Sequence, residues 1–419
     1  MTPPPVVIVG AGAAGLATAI FVKRHRPGVA VCLLDSAKSV GAKILVSGGG
    51  RCNVTNVTVE ASDFNGGRPG SIRQILRAWP ASASVTFFGD LGVPLHEEEH
   101  GKLFPDSNRA RDVLDALLRE VTRLGIDLRT ACRVGTLTKD GDHFTVGTST
   151  GPIKASAVVL ATGGLSLPKT GSDGSGYELA RQLGHTLVPT SPALVPLVVD
   201  RTSSWQIHAE VSGVSEPVRL TVRATDGAPR RVDGALLWTH FGVSGPAALD
   251  ASRHWLRHQL EGRVPQLTAD LTPEHTFESL EARWLDLTAR QPRLSPAKAL
   301  TPLLPASVAQ AIVSKLGLAT ETLATIPRVE RRRLLHTLLA WPIAVATSRG
   351  YTFAEVTAGG VALSEIDPRT MESRVCPGLY LVGEVLDVDG RLGGFNFQWA
   401  WSTGRVAGEA IGRRRTGSS

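Results

Sequence analysis

The chain opens on an uninterrupted apolar run, Val6–Val9, followed by a glycine-rich stretch Gly10–Gly15, a largely apolar segment Leu16–His25 and a second apolar run Val29–Leu34. Short continuous β-branched runs with no alternation suit parallel strands buried on both faces. The order therefore predicts strand, glycine turn, helix, strand. Residues 36–60 lose periodicity and gather glycine, which predicts a loop region, and 71–92 and 109–124 return to helical spacing. Between 127 and 160 the pattern predicts short strands around the turns Lys139-Asp140-Gly141 and Thr150-Gly151-Pro152, ending in the apolar strand Ala157–Ala161 and the turn Thr162-Gly163-Gly164.

The pattern changes near Pro189–Pro196. Strand-like segments at 194–199, 206–211, 217–224 and 232–239 give way to helical ones at 247–259, 276–290, 296–317 and 329–340. Pro342 and Gly350 mark a return, and beyond Gly359-Gly360 the chain again reads strand (Gly378–Val382), glycine loop and helix (396–412). The expected fold class is α/β: a doubly wound, Rossmann-like domain made of residues 1–190 and 345–419, interrupted by an insert. Within the insert, 191–270 reads as β-rich and 271–344 as a helical lobe. No internal repeat is visible.

Composition changes this picture little. At 419 residues, 42% hydrophobic and 20% charged, the chain has room for two or three folded domains. Cys32, Cys52, Cys132 and Cys376 are scattered with no C-x-x-C pair, which argues against a disulfide framework, a metal site or a dithiol centre and for a reducing cytoplasm. Met1-Thr-Pro-Pro-Pro lacks a charged leader, so no signal peptide is expected. The apolar run Val6–Val22 is short for a bilayer span and carries glycines, so no membrane association is expected either. The net charge of +7 gathers partly in Arg331–Arg333 and Arg413–Arg415. With aromatics at 5% and none between these arginines, they read as a solvated helix face and a tail rather than a nucleic-acid site.

The chemistry begins at Gly10-Ala11-Gly12-Ala13-Ala14-Gly15, which follows a strand and opens a helix. Gly10 makes the tight turn, Gly12 lets a pyrophosphate approach the backbone, and Gly15 lets the helix pack closely, so the anion rests on the helix N-terminus. Asp35 ends the second strand, placed to accept from ribose hydroxyls. This pattern alone fits FAD or NAD. Two later stretches favour FAD. The strand Tyr380–Val382 ends in Gly383-Glu384, which brings a carboxylate back to the cofactor, and Ala161-Thr162-Gly163 follows the strand-rich meander. Within Lys43–Asn56 (KILVSGGGRCNVTN), Gly49, Gly50, Arg51, Cys52 and Asn53 describe backbone passing close to something flat or anionic. Cys52 reads as a small buried residue near the cofactor rather than a reactive thiol. Glu97–His100 reads as an exposed acidic loop, so no metal site is expected. His240 fits either a catalytic role, as a proton donor or polar contact to substrate at the flavin, or a structural role at a domain junction.

The stretches VVIVGAGAAGLATAI, KILVSGGGRCNVTN, GSDGSGYELARQLGHTL, WTHFGVSGPAALD, VTAGGVALSEIDPRTMES and GLYLVGEVLDVDGRLGGFNFQWAWSTG span nearly the whole chain. In them the chain resembles the aminoacetone oxidase-like family of FAD-binding flavoproteins, a branch of the fumarate reductase/succinate dehydrogenase flavoprotein superfamily. The resemblance implies a discontinuous FAD domain with an inserted β-barrel-like domain and a small helical lobe. It also implies that Gly10, Gly12, Gly15, Asp35, Lys43, Arg51, Asn53, Gly383, Glu384, Asp387, Gly394, Asn396 and Gln398 contact the cofactor. Gly393-Gly394 and Phe395 open the last helix, whose N-terminus is suited to negative charge on a reduced flavin. Phe395 replaces a tyrosine common in relatives, and Trp399 and Trp401 add bulk.

The expected activity is two-electron oxidation of a small substrate held between flavin and insert, by an oxidase or dehydrogenase that binds FAD non-covalently. No histidine lies in 36–60, where the superfamily attaches its flavin covalently. An alternative is an NAD(P)H-linked reductase or desaturase of an unsaturated or cyclic substrate. A more distant one is a flavin-bound protein that binds RNA or a partner. No second dinucleotide motif has strand context, so O2 or a transient NAD(P)H is the expected redox partner.

Overall fold

A computed structural model describes residues 3–225 and 228–414, so the Met1-Thr2 leader and the tail arginine Arg415 lie outside the described residues. The chain forms two compact units, residues 1–190 with 355–419, and residues 191–354.

The first unit is built on a five-stranded parallel sheet. Its members are β1 (Val6–Val9), β2 (Val31–Leu34), β3 (Asp127–Arg129), β4 (Ala157–Leu160) and β5 (Leu379–Leu381), in the order β5-β4-β1-β2-β3. Val7 lies beside Val158 on one flank and Cys32 on the other. Val7, Ile8, Leu33, Leu34, Val158 and Val159 have no exposed surface, the physical reason these runs do not alternate. The first helix, α1 (Ala13–His25), leaves β1 through the glycine turn. A separate antiparallel meander comprises Val134–Asp140, His143–Thr148 and Gly151–Ala155.

Three departures from the sequence pattern have local causes. The expected loop 36–60 contains a five-residue helix, α2 (Ala42–Val46), and a 3-10 turn at Ser47–Gly50, both too short for periodicity to register. The expected helix 71–92 is two helices, Pro69–Ala78 and Ala81–Asp90, because Pro80 cannot continue the first. Val356–Val361, a glycine-bearing segment, is a fully buried strand paired with Leu187–Ala193. A side chain on Gly359 would meet the Pro189 carbonyl at 2.4 Å, so glycine serves strand contact there rather than breaking it.

The last helix, α4 (Phe395–Arg413; α3 is Ala110–Arg123), lies directly on α1. Gly404, Gly408 and Gly412, one helical turn apart, face Ala14, Phe21 and His25, where a Cβ would lie 2.8, 2.6 and 2.8 Å from the nearest atom. The partners advance together, so the two helices run parallel. α4 therefore starts about nine residues, or ~13 Å, ahead of the α1 contact. That places its first turns past the carboxyl ends of the sheet.

The second unit carries a seven-stranded antiparallel sheet, ordered Trp341–Ile343, Gln266–Asp270, Ser215–Arg223, Arg230–Thr239, Gly242–Ser244, Leu197–Val199, Val345–Ser348. Burial alternates along Ser215–Arg223, as expected for a strand with one covered face. Helix Gly245–Leu260 covers it with Ala247, Ala248, Ala251 and Trp255. The expected strand 206–211 is instead a series of turns that still buries Ile207 and Val211. The expected helix 296–317 breaks before Pro305 into Pro296–Leu300 and Ala306–Lys315. One apolar cluster joins sheet and helices, so 271–344 is not a separate core. The unit ends at Ala354 rather than at 344 because Val345–Ser348 pairs with Leu197–Val199.

Candidate functional site

In the parallel sheet the strand order reverses at β1, and ligands in such sheets bind beyond the carboxyl ends at the reversal. Four strands deliver the sequence landmarks to that edge: β1 leads into Gly10–Gly15, β2 into Asp35, β4 into Ala161–Gly164, and β5 into Gly383-Glu384. The landmarks are scattered over 375 positions, and parallel pairing brings them together.

Within the glycine turn the three glycines do different work. A Cβ on Gly15 would lie 1.8 Å from the Gly10 carbonyl oxygen, and one on Gly10 2.4 Å from that of Ala161. Gly12, in contrast, has nothing within 4 Å of that position. It caps α1 without a side-chain hydrogen bond, and the first turn holds no acidic residue. The Ala13 and Ala14 end of α1 thus offers backbone N–H groups and open space, the fit a pyrophosphate requires. Asp35 accepts from Ala11 N and Ala37 N, both at 2.8 Å, so its carboxylate braces the turn and faces the site.

A second cluster surrounds Glu384. Its carboxylate accepts from Lys43 Nζ at 2.5 Å, Ser166 Oγ at 2.6 Å and Thr357 N at 2.9 Å. Lys43 also reaches Ser166 Oγ at 2.6 Å, and the Thr357 hydroxyl accepts from Leu165 N and Ser166 N. Ser166 and Thr357 were not singled out from the sequence. Their only signal is adjacency to the Gly163-Gly164 and Gly359-Gly360 pairs.

The 47–53 turn meets the start of α4. Gly48, Gly49 and Gly50 hold φ of +55°, +68° and +86°, and nothing lies within 4 Å of a Cβ on Gly49. The Asn53 amide accepts from Gly394 N at 3.1 Å and donates to the Thr55 carbonyl at 2.8 Å. α4 begins after Gly393 and Gly394, both at positive φ, with no side-chain cap and no acid in its first turn.

Other expected contacts are turned elsewhere. Arg51 pairs with Glu98 at 2.6 Å and lies over the Phe104 ring at 4.1 Å. Cys52 is fully buried, and burial pushes its thiol up to about 12. Asn396 exchanges hydrogen bonds with the Gly390 backbone. Gln398, fully buried, accepts from Thr55 and donates to Trp79 O and Ser402. Its amide is consumed inside the protein, a role invisible without the fold. Phe395 is buried edge-on to Phe64, and Trp399 and Trp401 bond through their indole N–H to Gly383 O and Val54 O. The Asp387 carbonyl accepts from Gly67 N at 2.8 Å. Thr162 Oγ1 is buried with no protein partner, and Gly163 keeps its turn at φ +71°. His240, in the second unit, is exposed in the turn between Arg230–Thr239 and Gly242–Ser244. Among the described residues no cluster suited to a metal ion is found, and no helix is long and apolar enough to cross a membrane.

The fold and this edge define an FAD-dependent oxidoreductase, with FAD as its cofactor. Residues 4–410 match the HI0933-like protein Rossmann domain, and the chain belongs to that family. It is 32% identical to the 3-dehydro-bile acid delta(4,6)-reductase of Clostridium scindens over 97% of this chain and 98% of that one. It is 34% identical to the ribosomal RNA dihydrouridine synthase of Escherichia coli over 95% of each. Among solved structures, a quinol-fumarate reductase with menaquinol superposes with a TM-score of 0.52 at 17% identity, covering 100% of this chain and 72% of that one. The last likeness concerns the fold alone.

Proposed function

We propose that the protein is a reductase of carbon–carbon double bonds conjugated to a carbonyl, acting on a small molecule, with NAD(P)H as the reductant. In the sequence this reading stood second to two-electron oxidation of a small substrate. The observation that carries it is the pair of full-length relatives above 30% identity. One is named for reducing the Δ4,6 bonds of a 3-oxo bile acid, the other for making dihydrouridine. Both names describe adding two electrons and two protons across a C=C conjugated to C=O.

FAD, when bound, carries the electron pair between the two partners. The chain's own groups would hold it: the uncapped start of α1 would take the pyrophosphate, and Asp35 and the Lys43–Glu384 pair would take its hydroxyl-bearing parts. The start of α4 would supply positive dipole where reduction adds negative charge. The balance is one C=C, one NAD(P)H and one proton giving CH–CH and NAD(P)+. The hydride goes to the carbon β to the carbonyl and the proton to the α carbon.

Incubating FAD-loaded protein anaerobically with NADPH or NADH and a panel of enones, with aminoacetone as control, tests this. Product mass should rise by one H2 for an enone. Consumption of aminoacetone with peroxide release in air, and no gain by any enone, would return the protein to the oxidase reading.

A further inference from the structure

In the second unit one arginine meets two aromatic rings at once. The Arg349 guanidinium lies 3.4 Å from the centre of the Phe353 ring and 4.8 Å from that of Phe241. Phe241 in turn meets the exposed ring of His240 edge-on at 5.1 Å. Elsewhere in the unit Arg219 and Arg331 pair with Asp233 and Glu281. Among the described residues Arg349 has no ion-pair partner, yet it is exposed.

The backbone beneath it is fixed. Arg349 N donates to the Pro196 carbonyl at 3.0 Å, and Gly350 N donates to Ser348 Oγ at 3.2 Å. Gly350 sits at φ +69°, ψ −176°, a conformation open essentially to glycine alone. Ring contact and backbone together remove much of the rotamer freedom an exposed arginine keeps. What remains available is the fork of N–H donors, whose geometry matches two oxygens of one planar oxyanion. Such preorganisation has no evident structural use, because no carboxylate of the described residues takes it.

The surroundings select among oxyanions. The Phe353 ring is 45% exposed, so the donor edge is bordered by apolar surface. The two segments that build the site, 236–246 and 341–354, contribute a single permanent cation. A polyanionic backbone is bound by several cations at once. One arginine on an aromatic wall suits one carboxylate attached to an apolar body.

We propose that Arg349, with Phe241, Phe353 and His240, is a carboxylate-binding site that takes amphipathic carboxylic acids. The site stands independently of the reductase reading. The test uses FAD-loaded protein and ligand-observed NMR titration with 3-phenylpropionate and its neutral amide. Wild type should hold the acid at least roughly tenfold tighter than the amide, the span of a charge-assisted pair. Arg349→Gln should abolish that preference. Arg349→Lys, which keeps charge but not the fork, should keep only part of it, and so should Phe353→Leu, which keeps the donor but not the wall. Flavin content and melting temperature should match wild type in each, showing that folding is intact. Equal binding of acid and amide by wild type, or unchanged preference in Arg349→Gln, overturns the site. So does displacement of the acid by an oligouridylate that itself binds through Arg349. A preserved acid preference with no enone reduced would leave the site standing and sink the reductase reading.

Discussion

Gly12 separates the needs of the fold from those of the cofactor. Its backbone, at φ −82° and ψ −169°, is open to any L residue, and a Cβ there meets nothing within 4 Å. Gly12→Ala should therefore leave the FAD-free fold intact, or stabilise it by about 0.4–1 kcal/mol through a less flexible unfolded chain. The same methyl group occupies the space the pyrophosphate requires. Overpacking of this kind costs about 1–3 kcal/mol, so FAD should bind roughly 5- to 140-fold more weakly. Gly15→Ala is the contrast, because its Cβ would lie 1.8 Å from a backbone carbonyl and the strand–helix turn itself must move. It should lose about 3 kcal/mol of stability even without FAD. Melting curves of FAD-stripped protein and titrations following flavin fluorescence read both quantities. Wild-type FAD affinity in Gly12→Ala, or a melt as low as that of Gly15→Ala, would refute this division of labour.

Three further outcomes follow from buried groups. Glu384→Gln strips Lys43 of its carboxylate in a half-buried network and should cost about 1–3 kcal/mol with weaker flavin retention, read by melting and by gel filtration. Burial pushes Cys32 and Cys52 up to about 12 and raises Cys376, and all four cysteines are buried. Native protein should thus leave a chromogenic disulfide reagent nearly unreacted within minutes, while denatured protein reacts fully. Glu216 is buried with its Oε2 unpartnered, and burial raises its carboxyl above 4.5 despite the Trp238 N–H at 2.7 Å. The folded state then holds its proton more tightly than the unfolded state, so stability falls as pH rises from 4.5 through the raised value. Glu216→Gln, which keeps the Trp238 bond, should raise the melting temperature at neutral pH and flatten that decline.

The parallel sheet was legible because a strand covered on both faces has no choice but continuous apolar residues, as Val6–Val9 and Ala157–Leu160 show. The glycine turn was legible because two of its glycines answer to backbone contacts that no other residue survives. The partners of Gln398 were not legible, because the sequence cannot tell a free amide from one that bonds Thr55, Trp79 and Ser402. Ser166 and Thr357 were missed for the opposite reason. Their partner Glu384 lies 218 and 27 residues away, and only the sheet joins them. The Gly404, Gly408 and Gly412 stripe was printed at helical spacing, but its meaning depended on α1 lying opposite. Arg349 carried only the nearness of Phe353, four residues on, because its second ring, Phe241, stands more than a hundred positions earlier.

The most direct test of the central claim is the flavin half-reaction. Enzyme reduced anaerobically with a stoichiometric chemical reductant is mixed with a conjugated enone bearing a carboxylate, and the visible flavin absorbance is followed in a stopped-flow instrument. The account predicts that the yellow oxidised spectrum returns without oxygen while the enone gains one H2, and that aminoacetone leaves the oxidised enzyme unbleached. A reduced flavin that stays colourless with every enone, together with bleaching of the oxidised enzyme by the amine, would contradict it.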